Sequence, residues 1–382
     1  MTAGSQTASG ADPVEIEPHE ALARLRDGAL LVDVREMDER AAGMPCDAIG
    51  IARASLGDEI AAVAADRSTD LMMICASGQR SLLARQQLLE LGYTRVVSVC
   101  GGFNRWRAEG LPLADGAVDD DFAQRYARHL VLPEVGLSGQ IRLSRARVAM
   151  IGAGGLGSPA SLYLAAAGIG TLTLIDDDKV ERSNLQRQVV HVDARIGMAK
   201  TESARLSLSA LNPSVSIDTR ETRIVAANVE SLLDGHDLVI DGADNFPTRY
   251  LVDAACRRLG IPLIYAAVHR FSGQISVFDS RREDSPCYRC LFPEPPSAAE
   301  APNCSEAGVL GVLPGIMGLL QANEAIKLIL GQGRPLVGRL LCFDALDASF
   351  RELQLSRDPA CPGCGDGAAF SGYQDIARIC AG

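Results

Sequence analysis

The run Arg147-Val-Ala-Met-Ile151, followed by Gly152-Ala-Gly154-Gly155-Leu-Gly157, decides the fold of most of this chain. An apolar stretch of strand length runs into four glycines and then into residues 158–167, which carry helical spacing. Glycines there let the backbone turn tightly and approach a phosphate, and the following helix N-terminus favours negative charge. Asp176 closes the next strand, residues 171–175, about twenty residues on, where an acid can hold ribose hydroxyls. Alone this is a dinucleotide fingerprint, so an NAD-dependent oxidoreductase is one reading. Strands are also expected at 237–241 and 262–266, and strands of a more mixed sheet at 273–278 and 338–343. The second region therefore reads as a Rossmann-like α/β domain.

Three features point to a triphosphate. Ser183-Asn184-Leu185-Gln186-Arg187-Gln188 follows the Asp176 strand, and Lys200 comes soon after. Two cations and several amides near one phosphate turn suit ATP. Asp244-Asn245 ends another strand, where a carboxylate can hold Mg²⁺ beside phosphates. No His/Asp or Tyr/Lys pair marks a hydride pocket. Cys287-x-x-Cys290 and Cys361-x-x-Cys364, about seventy residues apart, can close a tetrahedral Zn²⁺ site; a redox CxxC is the alternative. Residues 293–307 are rich in Pro, Ala and Glu and read as a mobile loop. Cys304 within it suits a nucleophile better than a core position.

Upstream, short apolar runs at 29–34, 70–75 and 95–99 alternate with helical patterns, the clearest being 81–91, which stops at Gly92. That order implies a second, smaller parallel α/β sheet. Cys75-Ala-Ser-Gly-Gln-Arg80-Ser81 lies between strand and helix, where backbone N–H groups form an anion pocket. Arg80 adds positive charge, which suits a thiolate that carries a persulfide. A buried cysteine ending a strand is the alternative.

Residues 15–112 resemble a rhodanese (sulfurtransferase) domain. The resemblance rests on Leu31-Val-Asp-Val-Arg35-Glu36, the Cys75–Ser81 loop, and Cys100-Gly-Gly-Phe-Asn-Arg-Trp106 followed by Gly110-Leu-Pro112. It implies that Cys75 is the persulfide cysteine. The segment Gly43-Met-Pro-Cys-Asp-Ala48 departs from the family pattern, and Cys46 and Cys100 read as structural.

Residues 122–365 resemble ubiquitin-activating-like adenylyltransferases of the MoeB/ThiF type. The matching stretches are Arg125-Tyr-Ala-Arg128-His129, the Gly152–Gly157 turn, Asp176, Asn184 to Gln188, Lys200, Asp244-Asn245, the two CxxC pairs, and Cys304-Ser-Glu-Ala-Gly308-Val. The resemblance implies that Gly155 and its neighbours cradle ATP and that Asp176 binds the ribose. It assigns phosphate contacts to Asn184, Arg187 and Lys200, and Mg²⁺ and the adenylation step to Asp244. Arg128 would reach the ATP of a second subunit, which implies a homodimer. Cys304 aligns with a cysteine that can hold the carrier as a thioester or acyl-disulfide.

The implied substrate is the C-terminal glycine of a small ubiquitin-like sulfur carrier of the MoaD or ThiS type. Its sulfur would come from a cysteine desulfurase or thiosulfate by way of Cys75. Molybdopterin synthesis is the leading pathway, with thiamine thiazole synthesis and tRNA thiolation as alternatives. A silent carrier-binding module is the remaining class.

The 382 residues divide by this reading into a disordered tail (1–14), a rhodanese-like domain (15–113), an acidic linker (114–121) and the adenylation domain (122–382). A net charge of -11 argues against a nucleic-acid surface. No apolar run reaches about 18 residues. Residues 309–330 read as a Gly/Pro loop and then a buried helix, 323–330, not a membrane span. The first thirteen residues lack a secretory pattern. Eleven cysteines without an export signal suit a reducing cytoplasm.

Overall fold

The computed structural model describes residues 13–36, 39–40, 43–113, 120–295 and 308–375. They fall into two compact units that divide between Ile141 and Arg142.

The first unit is built on β1 (Glu15–Ile16), α1 (Pro18–Arg26), β2 (Leu30–Asp33), β3 (Ile49–Gly50), α2 (Leu56–Val63), β4 (Leu71–Ile74), α3 (Gln79–Glu90), β5 (Val96–Val99) and α4 (Gly102–Ala108). The strands form a parallel sheet in the order β1-β5-β4-β2-β3. Every residue of β4 and β5 is buried, as a parallel sheet covered on both faces requires. Side chains alternate between two cores. Val32, Met73, Leu56, Ile60 and Leu88 share one face. Leu31, Met72, Ile74, Val97 and Trp106 share the other.

At the end of β2, Asp33 and Arg35 form a buried ion pair, with Arg35 Nη2 donating to Asp33 Oδ2 at 2.6 Å. The same guanidinium lies 3.8 Å over the Phe103 ring. It also donates to the carbonyls of Glu39 (3.2 Å) and Gly43 (2.6 Å). The Gly43 segment that departs from the rhodanese pattern is therefore tied down by the Asp-x-Arg motif itself.

Three short helices follow: α5 (Asp120–Arg125), α6 (Ala127–Leu130) and α7 (Gly136–Arg145). The expected linker lies mostly outside the described residues. The division by compactness falls within α7, later than the expected start at residue 122.

The second unit contains β6 (Arg147–Ile151), α8 (Gly157–Ala166), β7 (Thr171–Ile175), α9 (Lys200–Leu211), β8 (Ser216–Arg220), α10 (Val229–Leu233), β9 (Leu238–Asp241), α11 (Phe246–Leu259), β10 (Leu263–His269), β11 (Ser272–Phe278), α12 (Tyr288–Leu291), α13 (Val312–Leu330), β12 (Arg339–Asp344) and β13 (Ser349–Gln354). Its sheet runs β13-β12-β11-β10-β9-β6-β7-β8. The stretch from β10 to β8 is parallel, and β10 through β13 are antiparallel. Ile151 pairs with both Ile175 and Asp241, so three strand tips end side by side. The chain leaves β6 for β7 on one side and reaches β9 on the other, which opens a crevice beyond those tips.

The sequence reading missed β8 and β13. β8 is the polar edge strand SIDTR, and β13 is exposed along its whole length. It also began the late helix at residue 323, whereas α13 starts at Val312. Pro314 sits in the first turn, where its missing N–H is not needed. Among the described residues α13 alone is long and apolar enough to cross a membrane. Here it packs on α8, β10 and β11. Its buried Gln321 donates to the carbonyls of Asp241 (2.7 Å) and Ile264 (3.2 Å), and Glu324 accepts from Lys327 and the Leu336 N–H. Those bonds make it a core helix.

Asp33→Asn leaves Arg35 as an uncompensated buried charge, which costs about 3–5 kcal/mol. Trp106, the only tryptophan, is buried in this unit and reports its unfolding. The urea midpoint followed by tryptophan emission should fall accordingly. An unchanged midpoint would remove the pair from its structural role.

Candidate functional site

The crevice is lined by Gly152, Gly154, Gly155, Asp176, Asp177, Asp178, Arg187, Gln188, Lys200, Asp244, Asn245 and Arg249, with apolar Ile224, Val268 and Pro314. The glycine turn is demanded by space. Gly152 has φ +84°, and a Cβ on Gly157 would lie 1.9 Å from the Gly152 carbonyl oxygen. The peptide groups of Ala153 are held on both sides. Its N–H donates to Asp176 Oδ2 (2.8 Å). Its carbonyl lies 3.0 Å from His191 Nε2, and His191 Nδ1 lies 3.0 Å from Ser203 Oγ. Burial lowers the His191 pKa to about 4. The ring is neutral, so Nε2 donates to Ala153 while Nδ1 accepts from Ser203. Nothing in the sequence beyond one of five histidines announced that role.

Asp176 Oδ1 also accepts from the Asp178 N–H (2.8 Å). Burial raises its pKa, against the pull of Lys200. Lys200 opens α9 and is itself buried, with Nζ 2.8 Å from Asp178. Gln188 is buried with its Oε1 unpartnered among the protein atoms. Asn245 caps α11 by accepting from the Thr248 N–H (3.0 Å), which leaves the exposed Asp244 at the rim.

Gly157, Ser183, Asn184, Leu185 and Gln186 do not line the crevice. Asn184 instead braces the turn that carries Arg187, accepting from the Glu181 N–H (3.1 Å), while Arg187 Nη1 donates to the Ser183 carbonyl (3.0 Å). Gln186 lies against Gly311. Arg128 is exposed on α6, in the first unit.

The reading missed Arg249 and Asp241, although the spacing Asp244-Asn-Phe-Pro-Thr-Arg249 could have flagged the arginine. Arg249 Nη2 donates to the Ala243 carbonyl (2.8 Å), and Asp241 accepts from the Ala243 N–H (2.9 Å). The two charges lie 3.6 Å apart, both buried, and burial pushes Asp241 up to about 6. Together they fix the turn that presents Asp244.

Away from the crevice, the Sγ atoms of Cys287, Cys290, Cys361 and Cys364 all lie within 4.8 Å of one another. The Cys287–Cys361 and Cys290–Cys364 pairs are 3.6 and 3.3 Å apart. Four thiolates about 2.3 Å from a tetrahedral Zn²⁺ would be about 3.8 Å apart, so the cluster fits that ion after small shifts. Burial, with Asp253 and the neighbouring sulfurs, drives Cys287 far up, burial and Cys290 take Cys364 up to about 12, and Cys361 is lowered by backbone N–H groups against its burial. Backbone N–H groups of Gly363 and Asp358 point at Cys361 and Cys290, as they would at thiolates.

In the first unit Cys75 follows β4, with its sulfur buried. The sulfur accepts from the Gly78 N–H (3.2 Å) and the Ser81 hydroxyl (3.5 Å) at the start of α3. The Cys100-Gly-Gly stretch clamps this loop. Phe103 N–H donates to the Cys75 carbonyl (2.7 Å), and a Cβ on Gly102 would lie 2.2 Å from that oxygen. The sequence reading gave the charge of Arg80 to the Cys75 loop. Its guanidinium makes a two-pronged ion pair with Glu39, at 2.6 and 2.5 Å, while still interacting electrostatically with Cys75. Cys46 and Cys100 are half-buried, and Cys100 accepts from Arg105. Cys304 lies outside the described residues, as does most of the expected mobile loop.

Two predictions follow from these contacts. The His191 imidazole should stay neutral from pH 8 to pH 5.5 by NMR; a midpoint near 6.5 would contradict its burial against Ala153. The purified chain should hold one zinc per chain by elemental analysis, and Cys361→Ser should lose it. Full-length protein without metal but with an unchanged thermal midpoint would refute a structural ion.

Residues 126–363 match the ThiF family, and residues 17–109 match the rhodanese-like domain. The SAMP-activating enzyme E1 of Haloferax volcanii is 50% identical over 260 residues, covering 68% of this chain and 95% of that protein. The sulfur carrier protein adenylyltransferase of Thermus thermophilus is 50% identical over 259 residues, 67% of this chain and 96% of that one. The probable adenylyltransferase/sulfurtransferase MoeZ of Mycobacterium tuberculosis is 47% identical over 251 residues, 64% of this chain and 63% of its own length. Among solved structures, E. coli MccB with ATP aligns at TM-score 0.56 and 23% identity, covering 69% of this chain and 80% of that one. At that identity it shows a shared fold alone. The chain belongs to the ThiF family, as an adenylyltransferase with a rhodanese-like domain ahead of it.

Proposed function

We propose that the crevice adenylates the C-terminal glycine of a ubiquitin-like sulfur carrier of the MoaD or ThiS type, using ATP. The observation that carries this reading is the convergence of Arg187, Lys200, Asp176 and Asp244 on one glycine turn. Two cations and a helix N-terminus suit the phosphates, and Asp176 faces the ribose position. The carrier carboxylate attacks the α-phosphorus, the bond to the β-phosphate breaks, and pyrophosphate leaves with its electron pair. Arg187 and Lys200 offset the charge that develops on the phosphates. Lys200 would exchange Asp178 for a phosphate oxygen. Asp244 is placed to hold Mg²⁺, which would supply further neutralisation there. The four-cysteine cluster would hold Zn²⁺ as a closed structural site.

A persulfide on Cys75 then attacks the acyl carbon, and AMP leaves. The resulting acyl-disulfide is cleaved by a second thiol, which takes the Cys75 side and releases the carrier thiocarboxylate. Cys304 is a candidate for that thiol or for an intermediate thioester. The sulfur donor would be a cysteine desulfurase or thiosulfate. Molybdopterin synthesis is the leading pathway for such a carrier, and thiamine and tRNA thiolation use the same chemistry. We also propose domains at 15–113 and 122–382, a homodimer in which Arg128 serves the other subunit, and a reducing cytoplasm.

Carrier-dependent ATP–pyrophosphate exchange tests the first half. Asp244→Ala should slow it by about 10²–10³-fold with zinc content intact. Exchange at the wild-type rate would misplace the active site. For the second half, a sulfur donor should add one sulfur atom to the Cys75 peptide by mass spectrometry, and a peptide that stays bare would sink the persulfide role.

A further inference from the structure

We infer that Glu39 is a specificity-determining residue of the Cys75 site, disfavouring the thiosulfate dianion against persulfide donors. This rests on the persulfide reading of Cys75. Arg80 is the only charged residue in the stretch from Cys75 to Ser81. Both of its terminal nitrogens are bound to the Glu39 carboxylate. Glu39 is held in place by a chain of contacts. Asp33 fixes Arg35, and Arg35 donates to the Glu39 carbonyl. The Glu36 N–H donates to Glu39 Oε2 (3.1 Å). The hydrogen bond to Arg80 also lowers the Glu39 pKa, so the carboxylate is ionised at neutral pH.

The consequence is one of charge. When Cys75 thiolate attacks thiosulfate, a new S–S bond forms at Cys75, the old one breaks, and sulfite leaves with the electron pair and two negative charges. A cation beside the sulfur would stabilise both dianions, and Glu39 cancels the one the loop owns. A persulfide donor brings no sulfonate and releases a thiolate, so it loses little by that cancellation. Among the described residues, the Gly78 N–H and the α3 N-terminus also attract an anion, and both already serve the Cys75 sulfur.

The full-length chain is assayed for sulfur transfer from thiosulfate to cyanide as wild type, Glu39→Gln, Arg80→Gln and Cys75→Ser. Glu39→Gln should lower the thiosulfate KM by about ten-fold, with a smaller change in kcat, and added salt should shrink the gain. Arg80→Gln should not share that gain. A KM equal to or above wild type in Glu39→Gln, with Trp106 emission unchanged, would overturn the inference. A second readout uses the thiol itself. The ratio of Cys75 alkylation by iodoacetate to that by iodoacetamide should rise several-fold from wild type to Glu39→Gln, because the Gly78 N–H and α3 act equally in both. An unchanged ratio would also overturn it. If Cys75→Ser keeps the transfer activity, the persulfide reading fails, while the alkylation ratio still decides whether Glu39 cancels the charge of Arg80.

Discussion

The second unit depends on the clamp that holds the peptides flanking Ala153. A turn with four glycines is costly to order, by about 0.5–1 kcal/mol per glycine relative to alanine. Left alone it would sample many shapes. Here Asp176, at the tip of β7, takes the Ala153 N–H, and neutral His191 donates to its carbonyl. The clamp works because strand register brings the tips of β6, β7 and β9 level. The tip of β9 approaches so closely that a Cβ on Gly242 would lie 2.8 Å from the Ile151 carbonyl oxygen. Loop shape, the position of Asp176 and the Asp244 turn are thus consequences of one sheet edge. Arg187 and Lys200 are then brought to it by the turn ending at Gln188 and by the start of α9.

Features fixed by local conformation or by element chemistry were legible in the sequence. The glycine turn, Asp176, Arg187, Lys200, Asp244 and the two cysteine pairs fall where the motifs placed them. What was not legible depends on partners distant in the chain. His191 acts through a carbonyl 38 residues away. Arg249 acts by folding back onto the Ala243 carbonyl, a contact that its spacing from Asp244 hints at but does not specify. Asn184, expected at the phosphates, spends its side chain on the Glu181 N–H. Edge strands β8 and β13 carry too little apolar alternation to stand out. The early start of α13 was hidden by Pro314, which reads as a breaker unless it is known to lie in the first turn.

The first unit shows the same logic at smaller scale. Its buried Asp33–Arg35 pair orders the Glu39 carbonyl and the Gly43 carbonyl, where the segment 43–48 that departs from the rhodanese pattern begins. That order reaches the Cys75 loop through Glu39 and Arg80. The clamp by Gly102 and Phe103 holds the loop from the other side. The sulfur is buried and accepts from the Gly78 N–H and the Ser81 hydroxyl.

The account turns on attack at the α-phosphorus by a protein carboxylate. A carrier labelled with ¹⁸O in its C-terminal carboxylate, incubated with this chain, ATP and a sulfur donor, tests that step directly. The account predicts one labelled oxygen in AMP and none in pyrophosphate. Label in inorganic phosphate, or AMP formed without label, would contradict it.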